Sequence, residues 1–180
     1  MKTLAAAFLT LIIAGMTASS AFTQNDERVS QAASISQKIG ATEVVITYSR
    51  PGVKGRKIWG ELVPWGEKPF PWRAGANENT TISFSTDVEI EGKKLPAGKY
   101  GLHMTPQQDQ WTIIFSKKNN SWGSFKYNKD EDALRVNVKP VSAPMKEWLE
   151  YEFDDMTQTS GTINLYWEKL RVPIAVKIAK

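Results

Sequence analysis

Leu95-Pro96-Ala97-Gly98-Lys99-Tyr100-Gly101-Leu102-His103-Met104-Thr105, followed after a short polar link by Trp111-Thr112-Ile113-Ile114-Phe115, decides the fold. Leu95 to Gly98 places proline second and glycine fourth, as a type I turn favours. Beyond the turn, Tyr100, Leu102 and Met104 alternate with Gly101, His103 and Thr105. Trp111, Ile113 and Phe115 then share one face of a second run. Two runs of period two joined by a short polar link predict antiparallel strands with one buried face.

The same period continues in both directions. Upstream, Val44, Ile46 and Tyr48 share a face, with a shorter strand around Ile35 and a turn at Ile39-Gly40 before them. Ile82 and Phe84, then Val88 and Ile90, follow the same rule, and Glu91-Gly92 marks a tight turn. Downstream, Leu134, Val136 and Val138 alternate with Arg135, Asn137 and Lys139. Pro140 to Pro144 predicts a break, and Ala143 to Glu150 is the one place for a helical turn. Leu149, Tyr151 and Phe153 form another face, as do Ile163, Leu165 and Trp167. Val172, Ile174, Val176 and Ile178 read as a last strand, whose Pro173 suits an edge or a strand start. The pattern predicts an all-β chain: an antiparallel β-sandwich or partly closed barrel of about nine strands. It shows no internal repeat and no inter-domain linker.

Residues 1–21 read as a signal peptide. Lys2 precedes the apolar run Leu4 to Gly15, and Ser19-Ser20-Ala21 fits a small-x-small cleavage site. Residues 22–33 are polar and aperiodic, and read as a flexible lead-in. Residues 34–180 are expected to form a single β-sandwich domain, long enough to bury a core without staples. The chain has no cysteine, which removes disulfides, thiolate sites and a lipoprotein anchor. An exported protein is therefore expected, periplasmic or extracellular, with no membrane span once the signal is removed. A formal charge of +4, of which Lys2 supplies one, argues against a nucleic-acid partner.

One stretch breaks the regular pattern: the Gly-, Pro- and Trp-rich loop Tyr48 to Asn79, YSRPGVKGRKIWGELVPWGEKPFPWRAGANEN. It holds three of the seven tryptophans and six of the 23 Lys and Arg residues. Guanidinium groups bind carboxylate and phosphate with paired hydrogen bonds. Glycines in Gly52-Val53-Lys54-Gly55-Arg56 let backbone N–H groups approach an anion. The candidate ligand-binding set is Arg50, Lys54, Gly55, Arg56, Trp59, Trp72, Arg73, Asn77 and Glu78, for an anionic small molecule or glycan. The competing reading is a structured cap, with Trp59, Trp65 and Trp72 plugging one end of the sandwich and the basic residues solvated. Glu78 reads more readily as a structural ion pair with Arg73 or Arg56 than as a site group.

His103 is the only histidine, and no partner for catalysis is identifiable from sequence. With no cysteine beside it, a conventional zinc site is not expected, nor is any cofactor. Asp130-Glu131-Asp132 misses the EF-hand spacing and reads as solvated loop charge. No Ser-His-Asp set, nucleophile elbow or dinucleotide fingerprint is present.

The runs Tyr48-Ser49-Arg50-Pro51, Lys54-Gly55-Arg56, Trp59-Gly60, Leu62-Val63-Pro64 and Trp72-Arg73-Ala74-Gly75-Ala76-Asn77-Glu78 resemble a family of exported bacterial proteins. So do Leu95 to Met104, Trp111 to Phe115, Trp122-Gly123 and Asp132 to Val136. The family is a domain of unknown function, number twenty-nine eleven. The resemblance implies export and a β-rich single domain. It supplies no activity, substrate or catalytic residue. Three readings follow: a non-enzymatic envelope binding module, a structural envelope protein whose loop makes protein contacts, and a hydrolase or lyase using Glu78 with His103.

Overall fold

A computed structural model describes residues 28–65 and 70–179. The expected signal segment, residues 22–27 of the lead-in, and Glu67 and Lys68 of the long loop lie outside the described residues.

Ten strands form two antiparallel sheets. They are β1 (Gln31–Ile39), β2 (Thr42–Arg50), β3 (Thr81–Phe84), β4 (Val88–Ile90), β5 (Lys93–Leu95), β6 (Gly98–Thr105), β7 (Trp111–Ser116), β8 (Asp132–Val138), β9 (Val141–Asp154) and β10 (Ser160–Ile178). The larger sheet has the order β1-β2-β3-β6-β7-β8, and the smaller has β5-β4-β10-β9. The sheets stay separate, so the fold is a sandwich and not a closed barrel. The antiparallel strands are the expected ones except that Lys93–Leu95 adds a short strand and the last two expected strands are joined.

The inner face of the large sheet follows the period-two positions. Ile46 lies beside Ile82, and Ile82 beside Tyr100; Leu102 lies beside Phe115, and Phe115 beside Leu134. These rows pack against Leu149, Tyr151, Ile163, Leu165 and Ile174 from the small sheet in one core. The β4–β5 hairpin turns on Glu91 and Gly92, both at positive φ (49° and 74°). Two left-handed residues are what a two-residue hairpin loop requires.

Three expectations need correction. β1 begins at Gln31, inside the stretch read as lead-in, because its pairing with β2 runs the full length from Gln31–Arg50 to Ile39–Thr42. The expected break at Pro140–Pro144 and helical turn at Ala143–Glu150 are both absent: β9 runs through Pro144. It is the edge strand of its sheet, where a missing N–H leaves no ladder bond unmade. Finally, the last two predicted strands are one strand, β10. It pairs with β9 as far as Arg171 and with β4 from Val176, so Pro173 falls between the two ladders.

Candidate functional site

The long loop is stitched to both sheets by its backbone. At its start, the Leu149 N–H donates to the Pro51 carbonyl (3.0 Å) and the Val53 N–H to that of Glu147 (2.8 Å), extending β9 across the gap. Lys54 and Gly55 then turn the chain back at φ 48° and 68°. At its far end, Trp72 exchanges two bonds with Met104, at 2.7 and 2.8 Å. β3 covers only Gly98 to Gly101 of β6, and Trp72 uses part of the β6 edge that remains.

Between these anchors the loop fills the end of the sandwich with indoles. Trp59 sits at the centre, its ring 5.1 Å from Trp111, 5.8 Å from both Trp65 and Trp167, and 6.2 Å from Trp72. Trp72 stacks on Trp167 with 16° between the planes. Trp111 belongs to the large sheet and Trp167 to the small one, so the plug joins both. The expected cap is therefore present in the tryptophans.

The basic residues do something else. Arg73, Ala74, Gly75, Ala76 and Asn77 form a curl, with Ala74 and Asn77 at φ 52° and 57°. Three bonds pin the curl: Tyr151 Oη donates to the Ala74 carbonyl (2.9 Å), Trp72 Nε1 to that of Gly75 (3.1 Å), and the Ala76 N–H to that of Ser49 (3.2 Å). Arg73 Nη1 donates to the Asn77 carbonyl (2.5 Å), and its guanidinium lies over the Phe125 ring, 5.5 Å from the centroid. Gly123 lies against the same guanidinium. At φ 64°, a Cβ there would stand 2.7 Å from Arg73 Cζ, so only glycine lets the two approach. Arg56 is fixed likewise, donating from Nε to the Val53 carbonyl (3.2 Å) and from Nη2 to that of Gly52 (2.5 Å).

The curl and the turn at Lys54 face each other across a cavity of about 530 Å³. Lys54, Arg56 and Arg73 supply its charge, and Trp72, Trp122 and Trp167 its aromatic walls. Among the described residues, no carboxylate lines it and none pairs with these three cations. Burial holds the pKa of Arg73 below the ordinary guanidinium value. Desolvation of an unpaired cation is unfavourable, and an anion in the cavity would relieve it.

Five of the nine expected residues line this cavity: Lys54, Arg56, Trp72, Arg73 and Asn77. Four do not. Arg50 lines a neighbouring depression and is occupied by Glu150 (3.0 Å) and the Leu149 carbonyl (2.9 Å). Gly55 makes the turn but is not among the lining residues. Trp59 is the centre of the plug beneath. Glu78 pairs with Arg28 at 2.5 Å, and not with Arg73 or Arg56 as expected, because those two guanidinium groups are spent on loop carbonyls. Its own backbone N–H, and then Arg28, hold its pKa below the usual carboxylate value.

Sequence reasoning missed Trp122, Trp167 and the Val29–Ser30 wall. Trp167 carries the alternation of a core strand, and nothing in that pattern shows that it reaches the cavity. For Trp122 the available signal is the Trp122-Gly123 pair that the chain shares with the resembled family. Ser30 is held by Asn77 Nδ2, which donates to its carbonyl (2.9 Å).

His103 is not part of this site. It lies buried under the loop between β7 and β8, with Nδ1 2.8 Å from Ser124 Oγ and its ring edge-on to Tyr127. Burial pushes its pKa down to about 4, with Asp132 opposing the shift. Neither of the cavities that His103 and the candidate cations line includes Glu78. Asp132, expected as solvated charge, has an almost wholly buried side chain that accepts from Tyr127 (2.5 Å) and Arg135 (2.8 Å). Among the described residues, no group of three His, Cys, Asp or Glu side chains could hold a metal ion. No helix among them is long and apolar enough to cross a membrane.

Residues 30–176 match the family described as "Protein of unknown function (DUF2911)". No curated protein and no solved structure matches the chain significantly.

Proposed function

We propose that this chain, which belongs to the DUF2911 family of proteins of unknown function, is an exported binding module of the bacterial envelope for an anionic ligand with a sugar or other ring-bearing body. One observation carries the reading. Lys54, Arg56 and Arg73 converge on one cavity whose walls are tryptophans and whose described lining has no compensating acid. Two guanidinium groups held on carbonyls, with donors left over, are preorganised for carboxylate or phosphate, and the Lys54 ammonium lies over Trp148 beside them. Indole faces suit the C–H face of a sugar or a planar ring. Export rests on the residue pattern of positions 1–21.

The test is the thermal unfolding midpoint of the protein from Phe22 to Lys180, at fixed ionic strength, against sugar acids, sugar phosphates and nucleotides. A compound at 100 times its Kd adds about 2.7 kcal/mol of stability. Arg73→Ala should weaken binding about ten- to a hundredfold, the worth of a charge-assisted bond, and Arg56→Ala comparably. A panel that shifts nothing, or shifts both variants as it shifts the parent, overturns the reading. Processing after Ala21 is checked by the N-terminal sequence of protein recovered from the cell envelope.

A further inference from the structure

We propose that the ligand is an oligosaccharide with a neutral backbone that carries one acidic group at an internal unit, bound along three adjoining depressions. The inference rests on the cavity being an anion site. The cavity of about 530 Å³ does not stand alone. On one side it meets a depression of about 320 Å³ lined by Arg50, Gln31 and Trp148, with Val29 as the shared wall. Lys54 links the two again, since its ammonium lies over the Trp148 ring at 5.5 Å. On the other side it meets one of about 250 Å³ that includes Phe70, Pro71 and Phe125, with Leu62, Trp72 and Arg73 in common. The outer two share no lining residue, so the three lie in series with the cationic one in the middle.

Charge is distributed unevenly along this series. Lys54, Arg56 and Arg73, which make no ion pair among the described residues, all line the central cavity, with the Glu147 carboxylate at its margin accepting from the Lys54 backbone N–H (2.8 Å). Aromatic rings stand open to solvent along the whole series: Trp148 is 41% exposed at one end, Trp122 60% in the middle, and Phe70 47% and Phe125 75% at the other end. The cation at the Trp148 end, Arg50, is already neutralised by Glu150. Exposed rings in one contiguous row mark a binding surface. A nucleic acid brings a phosphate at every unit and calls for cations along the whole track. An acidic peptide of uniform charge calls for the same. An oligosaccharide with one acidic unit between neutral neighbours matches the order found here: rings throughout, with the charge concentrated in the middle. Sugar faces would stack on the outer rings while the acid meets the central guanidinium groups.

Calorimetric titration of the protein from Phe22 to Lys180 with glucuronate, glucuronate-substituted xylobiose and glucuronate-substituted xylotetraose tests this. Unsubstituted xylotetraose and an oligothymidylate serve as comparisons. The expected result is at least a tenfold gain in affinity from glucuronate to the substituted xylotetraose. Trp148→Ala and Phe70→Ala should each shrink that ratio, whereas Arg73→Ala should lower affinity for every acidic compound. Equal affinity for glucuronate and the tetraose, or equal affinity for the uncharged tetraose, overturns the groove while leaving the central anion site standing. Tighter binding of the oligothymidylate overturns it in favour of a nucleic acid. No binding of any acidic compound overturns the central site and the groove together.

Discussion

His103 has its ordinary pKa of 6.5 depressed to about 4 by burial. Between those values the unfolded chain carries a proton on the imidazole and the folded chain does not. Acidification therefore draws the protein toward the unfolded state. The contribution of neutral His103 is complete above pH 6.5, falls as the pH drops through the window, and is exhausted below about 4. The slope is about 1.4 kcal/mol per pH unit, reaching roughly 3 kcal/mol across the window. Because the chain has one histidine, no other side chain ordinarily titrates between pH 5 and 6.5. Denaturant unfolding at pH 5.0, 5.5 and 6.0 should approach that slope and level off toward pH 7, and His103→Gln should flatten it. Matching slopes for parent and variant would show that His103 is accessible to protons in the native state. At this scale the sequence told residue types but not partners. The basic loop was legible as a concentration of Arg and Lys. That Glu78 turns outward to Arg28, and Arg73 inward to the Asn77 carbonyl, depends on left-handed backbone at Ala74 and Asn77, two residues whose identity gives little sign of it.

The elements were legible wherever the period stayed intact, and β10 shows why it sometimes failed. Ile163, Leu165 and Trp167 are buried at odd positions, whereas Val172, Ile174 and Val176 are buried at even ones. A period-two pattern cannot change parity within a regular strand, so sequence reading splits it in two. The structure keeps one strand and breaks its period at one residue. The register slips on either side of Glu168, which sits at φ 55°. Tyr166 to Leu170 of β10 face Glu150 to Ser142 of β9, so the surplus residues bulge from β9, and beyond Glu168 the even positions of β10 are the buried ones. One alanine inserted after Arg171 should therefore turn Val172, Ile174 and Val176 toward solvent and abolish cooperative unfolding. Glu168→Gly keeps the register and suits the left-handed backbone, so its unfolding free energy should lie within about 1 kcal/mol of the parent's. A folded insertion variant of parental stability would mean that β10 can re-register, and that the irregularity at Glu168 does not set its facing. Circular dichroism with chemical denaturation separates these outcomes.

Across the whole molecule, the loop both closes the sandwich and carries the candidate site, and the tryptophan plug is what joins those roles. Trp59 touches the rings of Trp111 from β7 and Trp167 from β10, so a single side chain bridges the two sheets. Trp72 and Trp167 are in the plug and also line the cationic cavity. From sequence, cap and binding site were rival readings of one loop. The structure gives the indoles to the cap and the cations to the cavity, with Trp72 serving both. Composition could not divide them, because the division depends on which residues of the loop reach the gap between the sheets. Trp59→Ala should then act on stability and site at once. Truncating a large aromatic in a core costs about 3–5 kcal/mol, which for a chain of this size lowers the Tm by roughly 10 °C. Trp59→Phe should cost less, since the indole N–H it removes has no hydrogen-bond partner among the described residues. Tryptophan fluorescence and far-ultraviolet circular dichroism should report one coincident transition in the parent, because unfolding either sheet dissolves the same cluster. If Trp59→Ala left the Tm within 2 °C of the parent, or if fluorescence were lost well before the β signal, the plug would be an ornament of the loop rather than a joint between the sheets.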